Sequence, residues 1–220
     1  MTPYGTPAPL WGGRPRPRRT PWSGSSSMRI PRSLGNYSGM TFYWRRLPHV
    51  YEMERSVFLT WRLHGSLPSN RAFPTDALTS GQAFAVMDRL LDEACSGPFY
   101  LRQPAIADMV VEAIQYNADV LGHYALHAFV VMPNHVHLLA TPAVALPKLT
   151  RSLKGITAKR ANAMLGLTGS PFWQEETYDH TVRNEREFEK IRSYIEENPL
   201  RAGLAKEAAE YPWSSAAGRS

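Results

Sequence analysis

The chain has 220 residues, 43% of them hydrophobic, with 25 basic against 19 acidic side chains and a single cysteine. That length suits one domain, or one domain with a tail, and the apolar fraction is enough to bury a core. The lone Cys95 excludes an internal disulfide framework and a thiolate metal cage, and no run approaches the roughly 18 apolar residues of a membrane span.

The positive charge is unevenly placed. Residues 1–50 contain eight arginines and no acid, so acidic side chains outnumber basic ones in the rest of the chain, 19 against 17. Arg18-Arg19 is followed by Ser and Gly instead of an apolar stretch, so no secretory signal is expected and the protein reads as soluble and cytoplasmic. Seven prolines in residues 1–40, with little aliphatic content, predict a disordered basic arm over residues 1–45, ahead of a single domain over 46–220.

In chain order, Arg55–His64 (RSVFLTWRLH) is β-branched and aromatic and predicts a strand, stopped by Gly65-Ser66-Leu67-Pro68. Helices follow at Gly81–Ala94, with Ala85, Met87, Leu90 and Leu91 at helical spacing, and at Ala105–Val120. Tyr124–Val131 is almost continuously apolar, as a buried central strand would be, and Met132-Pro133-Asn134 turns the chain into a second strand, His135–Thr141. Leu149–Leu165 predicts a helix with Leu149, Leu153, Ile156 and Met164 on one face and Lys148, Arg151, Lys154 and Lys159 on the other. A short strand, Thr177–Val182, precedes a helix over Glu185–Glu197, N-capped by Asn184 and ended by Pro199. This order predicts an α+β fold, a ferredoxin-like or RRM-like antiparallel sheet with helices packed on one face.

Two short patterns carry chemistry. His135 and His137 alternate around Val136, so on a strand they project from one face with Cα atoms about 7 Å apart, close enough to converge on one divalent cation. His123 and His127 lie on the preceding strand or its entrance and read as structural. On the last helix Tyr194 and Asn198 are i and i+4 and share a face. Taken alone, Tyr194 reads as a core-edge aromatic and Asn198 as a helix cap.

Together, PNHVHLL and, some fifty to sixty residues later, a helix ending YIEENPLRAG resemble the REP-associated tyrosine transposases, a single-tyrosine branch of the HUH nucleases. The similarity runs through FWQEETYDHTVRNEREFEKIRSYIEENPLRAGLAKEAAEYPWSSA and more weakly back to FLTWRLHGSLP. The resemblance implies His135 and His137 as metal ligands, Asn198 as a third ligand and Tyr194 as nucleophile, with Mg²⁺ or Mn²⁺ as cofactor. Tyr178, just before the last helix, is the best competing tyrosine. The implied activity is metal-dependent cutting and rejoining of single-stranded, hairpin-forming repeat DNA through a 5′-phosphotyrosine, in the nucleoid, by a monomer or a homodimer.

A DNA substrate would favour basic contacts, for which the candidates are Lys148, Arg151, Lys154 and Lys159 on the helix and Arg14, Arg16, Arg18 and Arg19 in the arm. The alternative from another class is a catalytically idle protein that binds DNA hairpins and regulates or marks them. An intact His135/His137/Tyr194/Asn198 set argues for the enzyme.

Overall fold

The computed structural model describes residues 55–67, 80–94 and 97–217, with the backbone of three short strands ahead of them. Those strands, β1 (Gly35–Tyr37), β2 (Met40–Trp44) and β3 (Pro48–Glu52), form an antiparallel meander. β1 and β2 fall within residues 1–45, the arm for which composition predicts disorder. Aromatic and β-branched residues in MTFYW and PHVYE favour strands, and composition averaged over a longer arm conceals them. Arg14, Arg16, Arg18 and Arg19 lie outside the described residues.

The main unit runs β4 (Val57–Arg62), α1 (Ser80–Asp92), a 3-10 turn at Tyr100–Arg102, α2 (Pro104–Asp119), β5 (Tyr124–Val131), β6 (His135–Pro142), α3 (Leu146–Leu165), β7 (Tyr178–Thr181) and α4 (Glu185–Arg201). Its four strands are all antiparallel in the order β5-β6-β4-β7, with the sequence-distant β4 and β6 at the centre. This is the α+β class that the sequence predicts. No helix of the described residues is long and apolar enough to cross a membrane.

The sheet is covered on both faces, because its central strands are apolar on both. Val57, Leu59 and Trp61 of β4 and Val136, Leu138 and Ala140 of β6 join α2 and α3 in one core. Phe58 and Leu139, from the alternate positions, join Phe84 of α1 and Ile191, Tyr194 and Ile195 of α4 in the other. The expected packing on one face therefore holds for α2 and α3 but not for α1 and α4. Each fully buried leucine or isoleucine contributes about 1.5–3 kcal/mol, so either layer alone would leave the other half of a two-faced sheet in water.

Three local expectations change. β5 is an edge strand of this sheet, not a central one. It tolerates apolar sequence because the C-terminal segment closes its edge, with Val131 N donating to Trp213 O at 2.8 Å and Ser215 N to Phe129 O at 2.9 Å. On α3 the buried stripe is Leu146, Leu149, Leu153, Thr157 and Ala161, while Ile156 and Met164 are exposed. Thr157 can be buried because its Oγ1 donates to Leu153 O at 2.6 Å and accepts from Trp173 Nε1 at 2.8 Å. Finally, α4 continues through Pro199 to Arg201; a proline in the last turn costs one backbone hydrogen bond, and Ala202 N still reaches Asn198 O at 3.0 Å.

Candidate active site

The site lies on the α1/α4 face of the sheet. Register places Thr60 of β4 opposite His137 and Arg62 opposite His135, with both histidines on one side of β6. Both imidazoles are fully buried, and their Nε2 atoms face each other at 3.1 Å. Asp88, from the buried side of α1, places Oδ1 3.1 Å from His137 Nε2 and 3.7 Å from His135 Nε2. Asn198 enters from α4 with Nδ2 3.5 Å from His137 Nε2.

The surroundings fix which His135 nitrogen carries its proton and allow the same arrangement in His137. Asn134 Nδ2 donates to Leu91 O at 2.9 Å, so its Oδ1 is the atom that accepts from His135 Nδ1 at 2.7 Å. His137 Nδ1 meets Thr60 Oγ1 at 2.7 Å, and with its proton there Thr60 accepts. Both rings then present bare Nε2 lone pairs to the same point. Burial, reinforced by His137 and opposed by Asp88, pushes the His135 pKa down to about 3, so this ring needs to lose no proton before acting as a ligand.

These groups suit a divalent cation. Among the described residues Asp88, His135 and His137 form a cluster able to hold a metal ion. Two adjacent lone pairs repel unless something positive lies between them. Ligand atoms at neighbouring octahedral positions, with bonds of about 2.1 Å, stand about 3.0 Å apart, close to the spacings found here. Asp88 Oδ1 and Asn198 Oδ1 are buried without a hydrogen-bond partner, so two oxygens lack the satisfaction that an ion would provide. Turning the Asn198 carboxamide would exchange Oδ1 with the Nδ2 that now points at His137.

Tyr194 adjoins this cluster. Its ring centroid is 5.8 Å from that of His137, and it packs edge-on to Phe58 at 6.2 Å. One chain therefore brings His135, His137, Asn198 and Tyr194 together. Tyr178 is held differently, stacked on Phe84 at 4.4 Å with its hydroxyl buried. His123 and His127 bond Asn117 and Thr141 at 3.0 and 2.7 Å, and His127 is the extra residue where the β5–β6 register shifts.

Asp88 and Asp92 are the residues that sequence reasoning missed. Asp88 stands between Phe84 and Leu91 at i+4 and i+7 from Phe84, a carboxylate on the buried stripe of α1, and that was the available signal. Although burial is the largest effect and acts upward, His137, His135 and Arg201 hold its pKa below the usual carboxylate value. Asp92 Oδ1 is 3.9 Å from His135 Nε2; burial and the Asp88 charge raise its pKa to about 8. Asp92, His135 and Asn134 border a small cleft of about 60 Å³, whose rim carries Arg102.

The basic helix does not join the site. α3 packs on the opposite face of the sheet, where Lys148, Arg151 and Lys159 are exposed. Lys154 is engaged inside the protein, its Nζ donating to the carbonyls of Gln174 and Glu175, both at 2.7 Å, and to Thr177 Oγ1 at 3.1 Å.

Residues 100–198 match the family described as Transposase IS200 like. A REP-associated tyrosine transposase of Escherichia coli (strain K12) is 26% identical over 92 residues, 42% of this chain and 54% of that protein. The chain thus spans about half the length of this curated relative. The structure of a REP-associated tyrosine transposase bound to a REP hairpin aligns with a TM-score of 0.48 and 20% identity, covering 78% of this chain and 81% of the other. β4 and α1, which supply Thr60 and Asp88, precede the family match but belong to the same sheet and core. The family match runs from ahead of the two-histidine strand to Asn198 on the helix that bears Tyr194, and it covers less than half of the chain.

Proposed function

We propose that this protein cuts and rejoins one strand of hairpin-forming repeat DNA, using Tyr194 as the nucleophile. The observation that carries the reading is the tyrosine ring beside a buried His137 whose Nε2 converges with His135 Nε2 and Asp88 Oδ1. The repeat-DNA substrate is inferred from the family match and from the name of the curated relative, and its hairpin form from the resemblance read in the sequence.

The chemistry follows from the groups present. Tyr194 Oη bonds to the scissile phosphorus as the P–O3′ bond breaks, the phenol proton passes to solvent and O3′ takes up a proton. The chain retains a 5′-phosphotyrosine, so the bond energy is conserved and a 3′-hydroxyl can reverse the step. Mg²⁺ or Mn²⁺ held by His135 Nε2, His137 Nε2, Asp88 Oδ1 and Asn198 Oδ1 would polarise the phosphate and offset its developing charge. Asn134 and Thr60 hold the two rings in the ligating tautomer. α1 and α4 exclude water from one side of the cluster, while the cleft at Asp92 and His135 leaves a way in.

The test is cleavage of end-labelled single-stranded hairpins, drawn from repeats in the source genome, with Mn²⁺, Mg²⁺ or EDTA. Metal-dependent nicking that His137→Ala abolishes supports the reading. Tight hairpin binding with no nicking in either metal would make the protein a hairpin-binding regulator instead.

A further inference from the structure

The last turn of α4 carries a cation in a position that the chemistry above leaves unused. Tyr194, Asn198 and Arg201 are i, i+4 and i+7, hence on one face of the helix. The Arg201 guanidinium carbon lies 5.0 Å from the centroid of the Tyr194 ring. Phe58, Phe84 and His137 pack around the same ring. The Arg201 charge also reaches the acidic side of the cluster, acting on both Asp88 and Asp92. One guanidinium therefore sits against the nucleophile's ring and acts on the carboxylates of the cluster.

Its only hydrogen bond among the described residues runs from Nη2 to Glu197 Oε2 at 3.1 Å. That pair is 42% and 52% exposed, and ion pairs so solvated add little stability. Holding the helix end is thus a weak reason for an arginine at this position. The pair leaves most of the guanidinium's five donors available, and a planar fork matches two phosphate oxygens.

We propose that Arg201 is a catalytic residue of strand cleavage, its guanidinium donating to the non-bridging oxygens of the scissile phosphate while Tyr194 Oη bonds to phosphorus. This rests on the assignment of Tyr194 as nucleophile. Arg201 gives up no proton. It stabilises negative charge as the Oη–P bond forms and P–O3′ breaks, and again when the 3′-hydroxyl displaces the tyrosine.

The experiment is single-turnover formation of the covalent protein–DNA product at saturating hairpin and Mn²⁺, for wild type, Arg201→Gln, Arg201→Lys and Glu197→Gln. Hairpin affinity, Mn²⁺ affinity by calorimetry and thermal melting are measured on each. Arg201→Gln should slow the step on the order of 10²-fold, the usual effect of removing one preorganised donor to a developing oxyanion. Arg201→Lys should recover part of the rate. Mn²⁺ affinity of Arg201→Gln should be equal or higher, because a positive charge near the carboxylates has gone. Glu197→Gln should react near the wild-type rate.

A wild-type rate in Arg201→Gln overturns the proposal. So does an equal loss in Glu197→Gln, which would make the ion pair the functional unit, or a loss confined to hairpin affinity. A wild type that forms no covalent product overturns the nucleophile assignment itself, a different failure from an active wild type with an indifferent Arg201.

Discussion

Cation binding should stabilise the folded protein by a calculable amount. The ligand atoms are already gathered, with Nε2 to Nε2 and His137 Nε2 to Asp88 Oδ1 both at 3.1 Å, so binding requires little rearrangement beyond turning Asn198. It would also relieve two facing lone pairs and two unpartnered buried oxygens. At free Mn²⁺ of 100 times Kd, linkage gives about 2.7 kcal/mol. For a domain of this size each kcal/mol moves Tm by roughly 2–4 °C, so the expected rise is roughly 5–11 °C. Differential scanning fluorimetry across a Mn²⁺ titration, with EDTA-treated protein as the zero point, reads it directly. His137→Ala removes a ligand and should abolish the shift while leaving a cooperative transition. An unchanged Tm in folded wild type at millimolar Mn²⁺ would refute the assignment of this cluster as a cation site.

Asn134→Ala leaves every metal ligand in place but frees the His135 ring, so Mn²⁺ affinity measured by calorimetry should fall about 10–100-fold. Lys154→Ala should lower stability by about 1–3 kcal/mol in urea melts, because three acceptors between Gln174 and Thr177 lose their donor. Its hairpin affinity should stay close to that of wild type; a selective loss of affinity at unchanged stability would return Lys154 to a DNA-binding role. Thr157→Val keeps the volume of the α3 stripe but strands the Trp173 indole N–H, and about 1–3 kcal/mol of stability should be lost in the same melts.

What the sequence disclosed was governed by local rules. The alternation in HVHLLA fixes which β6 side chains share a face, and an i, i+4 relation does the same for Tyr194 and Asn198; both patterns survive folding unchanged. The Asn184 cap was equally legible, and its Oδ1 accepts from Glu187 N at 2.9 Å. Asp88 was hidden because burying a carboxylate makes sense only with its partners in view, and those partners come from β6, far along the chain. Hydrophobic spacing placed the inner face of α1 at Ala85, Met87, Leu90 and Leu91, whereas the protein buries Phe84, Asp88 and Leu91. The α3 charges were legible only in part, for a related reason. A row of lysines and arginines marks a solvent side but not which face of the sheet the helix covers, and Lys154 had an internal task that only tertiary structure reveals. The second helical layer, α1 with α4, followed from β4 and β6 being apolar at consecutive positions, a pattern of two-faced burial that alternation alone does not separate from one-faced burial.

The most direct measurement is to identify the residue that becomes joined to DNA. Protein reacted with a labelled hairpin in Mn²⁺ would be digested and the nucleotide-bearing peptide sequenced by mass spectrometry, for wild type, Tyr194→Phe and Tyr178→Phe. The expected result is a phosphodiester to the peptide containing Tyr194, absent in Tyr194→Phe and retained in Tyr178→Phe. A label on Tyr178, or an adduct that survives Tyr194→Phe, would contradict the placement of the nucleophile beside His137.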